Sequence, residues 1–409
     1  MKYIILLGDG MSGHKLDVLG GKTTLQHSAT PNMDYMASRG VLGLSRTVPQ
    51  GMPPGSDVAN LAVMGYDPLK YYTGRAPLEA ASIGVELGPL DVAYRCNLVN
   101  LDIVERGGGK TFCPDCTMVD FTAGHITTDE ARLLIRTIDE ELGCPAVSFH
   151  PGVSYRHLMV WKEGKYKLGC TPPHDITGRK VAGYLPDGDG DEYITDLMAR
   201  SVEALKDHPV NKKRVADGKL PATCIWLWGQ GKKPALPLFK DKTGLTGAMI
   251  SAVDLMKGIA NITGLESINV PGATGYIDTD YVGKAEAALD ALDRVDFVYV
   301  HVESPDESGH EGNVAHKVQA IQDFDLKVVG TVLNSLKGKP GYRVVVMPDH
   351  PTPIPVKSHT SDPVPFIMWD SGGELPADEA KTYDEDAAAK TGVIYEDGYQ
   401  LFEKLLLGK

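Results

Sequence analysis

Residues 298–313 read VYVHVESPDESGHEGN. A strand-forming apolar run passes directly into Glu303, Asp306, Glu307, His310 and Glu311. Like charges set this close to a segment that folding buries repel one another and resist losing water, so the stretch calls for a positive partner.

The same pattern occurs twice more. YIILLGDGM (3–11) reads as a buried first strand over 3–7 that ends at Asp9. VVVMPDH (344–350) ends at Asp349 and His350, and His359 follows nine residues later in PVKSH (355–359). Strands alternate with helical patterns along the last third of the chain, which predicts an α/β fold with a mostly parallel sheet. GAMISAVDLMKGIANITG (247–264) reads as a helix, ESINV (266–270) as a short strand and TDYVGKAEAALDALD (279–293) as a helix. DFVYVHVE (296–303) is a strand, and 313–338 reads as one long amphipathic helix carrying Val314, Val318, Ile321, Val328 and Val332. YRVVVMPDH and PVPFIMWD (363–370) supply two further strands. Nearer the start, TPNMDYMASRG (30–40) has Thr30 as N-cap, Pro31 at the first helical position and Gly40 past the end.

At 409 residues the chain is long enough for two domains, because single cores rarely grow beyond about 250–300 residues. Residues 76–235 differ in texture, with Gly- and Pro-rich stretches such as ERGGGK (105–110), LPDGDGDE (185–192), GKLPAT (218–223) and GKKPALPLF (231–239). They also hold the strand-like runs AVSFH (146–150) and YRHLMVW (155–161), and a helix over 127–143 with the capping-box pair Thr127 and Glu130. The segment reads as a smaller α+β domain (76–235) inserted into a catalytic domain formed by 1–75 and 236–409.

The net charge of −13 argues against nucleic acid or an anionic membrane as partner, since both need a basic surface. It leaves room for a small phosphorylated substrate. The apolar run at the N-terminus is too short for a signal-peptide core, and no run approaches the roughly 20 apolar residues of a membrane span. Six dispersed cysteines read as reduced thiols of a cytoplasmic protein. Cys113 and Cys116 have the spacing of half a zinc knuckle, but no second pair follows at a suitable distance, which favours an incidental loop or a weak structural site.

In open α/β sheets ligands collect at the carboxyl ends of the strands, so Asp9, Asp306, His310, Asp349, His350 and His359 can converge although they are distant in sequence. Bound to divalent cations the group becomes favourable, and mixed Asp/His ligation suits Mn2+ or Zn2+ better than Ca2+. A pair of metals about 3.5–4 Å apart is a common device for phosphoryl transfer. Ser56, in QGMPPGSDVANLAVMGYDP (50–68), follows a Pro-Pro-Gly turn and precedes an apolar helix. Local sequence allows two roles for it: a nucleophile whose phosphate faces the helix N-terminus, or the helix N-cap.

GDGM (8–11), PPGSDVANLAVMGYDP (53–68), YYTGRAPLEAASIGVEL (71–87), PDESGHEGN (305–313) and MPDHPTP…KSH (347–359) together resemble the archaeal-type 2,3-bisphosphoglycerate-independent phosphoglycerate mutases of the alkaline phosphatase superfamily. The likeness spans nearly the whole chain, in the family's order. It implies an alkaline-phosphatase-like three-layer core and two metal sites. Asp306, His310 and His359 would hold one metal, and Asp9, Ser56, Asp349 and His350 the other, with Ser56 transiently phosphorylated. It further implies divalent ions, Mn2+ before Zn2+ or Mg2+, no 2,3-bisphosphoglycerate, a glycolytic role, and an inserted domain that closes over the site.

A phosphorylated carboxylic acid needs cations that match planar and tetrahedral oxyanions. Candidates are Arg75, Arg95, Lys257 and Arg156 with neighbouring His157, together with His125, His174 and Asp175 as acid/base or substrate contacts; the resemblance implies that Lys257 is the catalytic lysine. His14, His27, His208 and His316 read as ordinary, and Glu303, Glu307 and Glu311 as neighbours of the metals or solvated groups instead of ligands. FTAGHI (121–126) and CTPPHDITG (170–178) resemble the branch of this family taken to phosphorylate homoserine in threonine synthesis, which leaves that acceptor open as the alternative. A non-catalytic metal-binding protein is a third reading, disfavoured by the intact serine and ligand set. Homo-oligomerisation is left open.

Overall fold

The computed structural model of the chain describes residues 1–106, 109–377 and 380–407; Gly107 and Gly108 of the Gly-rich ERGGGK stretch lie outside the described residues. The chain forms two compact units, Met1–Tyr72 with Ala235–Lys409, and Thr73–Pro234. Arg75 therefore belongs to the inserted unit, where Thr73 Oγ1 donates to the Lys232 carbonyl and ties the two ends of the insertion together.

The first unit is built on an eight-stranded sheet. Its strands, in spatial order, are Glu266–Ile268, Gly247–Ile250, Phe297–Val302, Lys2–Gly8, Tyr342–Met347, Val364–Asp370, Val41–Ser45 and Ile394–Tyr395. All pairings are parallel except those made by Val364–Asp370, which runs against both neighbours. Parallel sheets must be covered on both faces, and this one is. Ile4, Leu6, Val298, Val300, Val344 and Val346 pack with Met33, Met36, Tyr281, Ala285, Phe324 and Val328. On the other face Phe297 stacks on Phe239 at 4.8 Å, with Phe402 edge-on at 5.5 Å. The result is three layers.

Pairing of Gly8 with Val302 and of Leu7 with Met347 brings three strand ends level. The residues that follow them (Asp9, Glu303 to Asp306, and Asp349) therefore leave the sheet at one edge.

Two sequence expectations are corrected. Residues 247–250 are a strand and the helix begins only at Asp254, because Gly-Ala-Met-Ile fills a buried slot between two parallel neighbours. The helix expected over 313–338 is interrupted by a π-helical stretch, Phe324–Val329. That stretch carries buried Asp325, which accepts from Met33 N at 2.7 Å and from Asn32 N at 3.2 Å. Thr30 does occupy the N-cap position of helix Pro31–Ala37 but its side chain makes no capping bond; Asp325 satisfies those N–H groups instead.

The inserted unit has an antiparallel sheet in the order Cys224–Lys232, Val92–Asp102, Arg156–Trp161, Val147–His150, with Thr117–Asp120 also on Val92–Asp102. Helix Thr128–Leu142 opens on the expected Thr127/Glu130 capping box and packs with helix Asp191–Lys206. Cys113 and Cys116 lie buried in this unit's core with their sulfurs 3.8 Å apart. Among the described residues no helix is long and apolar enough to cross a membrane.

Candidate metal centre

The strand ends assemble a buried cluster. Asp9, directly after the first strand, is fully buried, with Oδ2 2.9 Å from His301 Nε2 and Oδ1 3.6 Å from His350 Nε2. Asp349 accepts from the Gly10 and His350 backbone N–H groups and, at 2.8 Å, from Asn60 Nδ2; its Oδ2 lies 3.4 Å from His350 Nε2. Asp306, one turn before His310 on helix Ser304–Glu311, lies 3.1 Å from His310 Nε2 and 3.4 Å from His359 Nε2. The two imidazoles bring their Nε2 atoms to 3.0 Å from each other. His310 Nδ1 donates to the Lys357 carbonyl at 3.0 Å, which orients the ring so that Nε2 faces Asp306 and His359. Lys357 holds a left-handed φ of 54° to present that carbonyl.

Gly10 is needed here. Its φ is +60°, and a Cβ would come within 2.6 Å of Asp306 Oδ1.

The electrostatics are those of a site built for cations. Burial, then Asp349, Asp306 and Glu303, push the Asp9 carboxyl well above its usual range. Burial and Asp306 push Glu303 up to about 8. Burial would also raise Asp306, but hydrogen bonds from His310 and His359 overcome it and hold Asp306 well below the usual range. His301 and His350 are pushed down to about 4 by burial, so both are neutral and offer lone pairs. Buried Asp9 Oδ1 and Glu303 Oε2 have no hydrogen-bond partner. Two divalent ions would answer these observations. Donor atoms of Asp306, His350 and His359, and of Asp9, Asp349 and His350, lie mutually within 4.8 Å, as do those of Asp9, His301 and Glu303.

Ser56 sits at this cluster. Gly55 is the N-cap and Ser56 the first residue of helix Ser56–Val63, so the capping role that the sequence left open is not the one it has. Its Oγ lies 3.1 Å from His350 Nε2. Asn60, one turn on, donates Nδ2 to the Ser56 carbonyl and to Asp349, while Tyr299 OH donates to its Oδ1. Lys257, on helix Asp254–Thr263, has Nζ 3.7 Å from Asp254 Oδ1.

Five residues escaped the sequence reading. Asn60 was signalled by its four-residue spacing from Ser56, and His301 by its polarity inside an apolar strand. Glu303, set aside as a neighbour, is buried against Asp9 and His301. Thr352 donates Oγ1 to Asp306 and had no local signal. Neither had Lys317, which is fully buried and donates Nζ to the carbonyls of Gly10 at 2.7 Å and Thr352 at 2.6 Å, tying the loops that follow Asp9 and His350 together. Lys317→Met is expected to destabilise the protein by about 2–3 kcal/mol in urea unfolding, because those buried carbonyls lose their donor.

The other predicted residues lie in the inserted unit. Arg95 and Arg75 donate their Nε–H groups to the two oxygens of Glu79, at 2.9 and 3.0 Å. Register pairs Arg95 with Trp228 and Asn97 with Arg156, so Arg95 and Arg156 share one sheet face. The Arg95 guanidinium lies 4.1 Å from the Trp228 ring, whose edge meets His174 at 5.4 Å. His157 pairs with Cys96 and so turns to the opposite face, where Nδ1 accepts from Gly152 N. Adjacent residues on a strand point apart, so Arg156 and His157 do not act side by side. Asp175 lies 3.7 Å from His174 and half-exposed. His125 is exposed in a loop at φ 49°.

Comparisons with known proteins identify the family. A protein-family model described as 2,3-bisphosphoglycerate-independent phosphoglycerate mutase matches residues 37–211. The chain is 53% identical over 406 residues to a probable 2,3-bisphosphoglycerate-independent phosphoglycerate mutase of Geobacter sulfurreducens, covering 99% of this chain and 100% of that one. It is 50% identical to the Methanosarcina barkeri 2,3-bisphosphoglycerate-independent phosphoglycerate mutase, covering 95% of each. Among solved structures, a Pyrococcus horikoshii protein superposes with TM-score 0.81 at 26% identity, covering 100% of this chain and 97% of that one. The cofactor-independent phosphoglycerate mutase of Thermoplasma acidophilum gives 0.65 at 26% identity, covering 100% and 99%. The chain belongs to the 2,3-bisphosphoglycerate-independent phosphoglycerate mutase family.

Proposed function

We propose that the protein interconverts 3-phosphoglycerate and 2-phosphoglycerate, with Ser56 carrying the phosphoryl group between the two hydroxyls. The observation that carries the reading is Ser56 Oγ at a helix N-terminus, 3.1 Å from His350 Nε2, a nitrogen that itself lies 3.6 Å from Asp9 Oδ1 and 3.4 Å from Asp349 Oδ2. Asp306, His310 and His359 are the residues that would hold one divalent ion, and Asp9, Ser56, Asp349 and His350 the other. Bound there, such ions would screen the phosphoryl oxygens and lower the pKa of the serine hydroxyl. Mn2+ is the proposed ion, on the mixed carboxylate and imidazole donor set.

Ser56 Oγ gives up its proton and attacks the substrate phosphorus, forming its P–O bond as the bond to the glycerate oxygen breaks and that oxygen takes up a proton. The glycerate stays bound through its carboxylate, and its other hydroxyl takes the phosphoryl group back from Ser56, losing its proton to a general base. The inserted unit is the proposed substrate-binding unit. Three guanidiniums, from Arg75, Arg95 and Arg156, surround the single carboxylate of Glu79, leaving a local excess of positive charge suited to an anion. Lys257 is the proposed catalytic lysine. A glycolytic enzyme of this kind is proposed to work in the cytoplasm.

The test is direct. Mn2+-loaded protein with 3-phosphoglycerate, coupled to enolase, is expected to turn over without added 2,3-bisphosphoglycerate. No turnover there, with phosphohomoserine formed from ATP and homoserine, would overturn the mutase reading in favour of the other acceptor.

A further inference from the structure

Glu79 is the one group in the arginine cluster for which substrate binding has no direct use. It is anionic, as the substrate is, and it lies among the cations proposed to receive that substrate. Its position is nonetheless well defined. One oxygen takes Nε–H of Arg75 and the other takes Nε–H of Arg95. Burial alone would raise its pKa, but Arg95 and Arg75 override that and keep it a carboxylate.

The effect on Arg95 is specific. Its guanidinium is buried, held at Nε by Glu79 and on one face by Trp228. Trp228 is itself fixed by its indole N–H donating to Asn97 Oδ1 at 3.0 Å. Gly229, at φ +61°, lets the strand bulge close over the Arg95 stem. With Nε and one face taken, the terminal Nη edge remains. Among the described residues no hydrogen-bond partner is found for either Arg95 Nη group. A planar fork with paired donors along that edge matches a carboxylate or a phosphate.

We propose that Glu79 is a positioning residue for substrate: it anchors Arg75 and Arg95 through Nε and so turns the Arg95 fork toward the substrate anion. The inference rests on reading the arginine cluster as the substrate site. It also competes with a simpler electrostatic account. If Glu79 only dilutes positive charge, removing its charge should strengthen anion binding. If it positions, removing its charge should weaken binding, because an amide accepts from one Nε–H and points its own donors at the other.

The experiment measures KM and kcat for 3-phosphoglycerate with Glu79→Gln, Glu79→Asp and Arg95→Lys in the full-length, metal-loaded protein, at low and at moderate salt. For Glu79→Gln a KM increase of about tenfold with kcat within about threefold is expected, since lost ground-state binding appears in KM. Glu79→Asp keeps the charge and is expected to fall between wild type and Glu79→Gln. If Glu79→Gln does not fold, Glu79→Asp alone decides, through a KM increase of at least about twofold. An unchanged or lower KM in the deciding variant overturns the proposal; a decrease that is largest at low salt identifies charge dilution instead. Arg95→Lys keeps the charge but loses the fork. If it raises KM while the Glu79 variants do not, only the role of Glu79 fails. If it leaves KM unchanged, the arginine cluster is not the substrate site and both readings fall.

Discussion

Ser56→Ala is expected to lower turnover of 3-phosphoglycerate by at least about a thousandfold while leaving the fold in place. Among the described residues, its neighbours on the helix offer no replacement for the proposed nucleophile. Asp57, the next residue, is committed to Val58 N and to the Tyr72 hydroxyl. Asn60 is tied on one side to the Ser56 carbonyl and Asp349, and on the other to Tyr299. Loss of a covalent nucleophile in such a unit leaves only positioning and electrostatic stabilisation, which can stabilise a transition state but cannot store the phosphoryl group. Structural damage should be small. Gly55 caps the helix and the serine hydroxyl makes no capping bond, so alanine, the best helix former, is tolerated at its first position. Coupled enolase assays give the rate, and phosphopeptide mass spectrometry of acid-quenched enzyme should show phosphate at residue 56 in the wild type alone. A variant that kept a tenth of wild-type activity would remove the phosphoserine route.

The acids and histidines of this site were legible because they break strong patterns. An aspartate or histidine at the end of an apolar strand is conspicuous, and level strand ends in a parallel sheet bring such residues together. What supports them was not legible, because the supporting contacts are long-range. Lys317 reaches Gly10 across 307 residues and Asn60 reaches Asp349 across 289, and nothing in either neighbourhood encodes the partner. His157 shows a second kind of limit. Its adjacency to Arg156 suggested a shared role, but strand alternation sends neighbours to opposite faces, and only the register with Cys96 and Asn97 reveals which face each takes. The helix assigned over 247–264 shows a third. Four apolar residues carry no periodicity that separates strand from helix, so burial between two parallel strands decided it.

Removal of divalent ions is expected to abolish activity completely and reversibly, and to make the protein less stable. Without cations, Asp9, Asp349, Asp306 and Glu303 crowd one buried edge, and the pKa of Asp9 is raised by burial and by each of the other three. Two carboxylate oxygens there have no hydrogen-bond partner. His301 and His350 cannot relieve the crowding at Asp9, since burial holds both neutral. Cations bind the folded arrangement and not the dispersed unfolded chain, so they stabilise it by mass action. At a hundredfold excess over Kd this amounts to about 2.7 kcal/mol per site, worth roughly 5–10 °C in Tm for a unit of this size. Thermal unfolding of chelator-treated protein, with and without added Mn2+, reads this shift directly. Asp306→Asn separates the two positions. An amide still accepts from Thr352, but it brings no charge to the point where His310 and His359 converge. Metal analysis should then find one ion per chain in place of two, with the Mn2+-dependent rise in Tm reduced and mutase activity lost. Full activity after exhaustive chelation, or two ions retained by Asp306→Asn, would contradict the assignment of these residues as ligands.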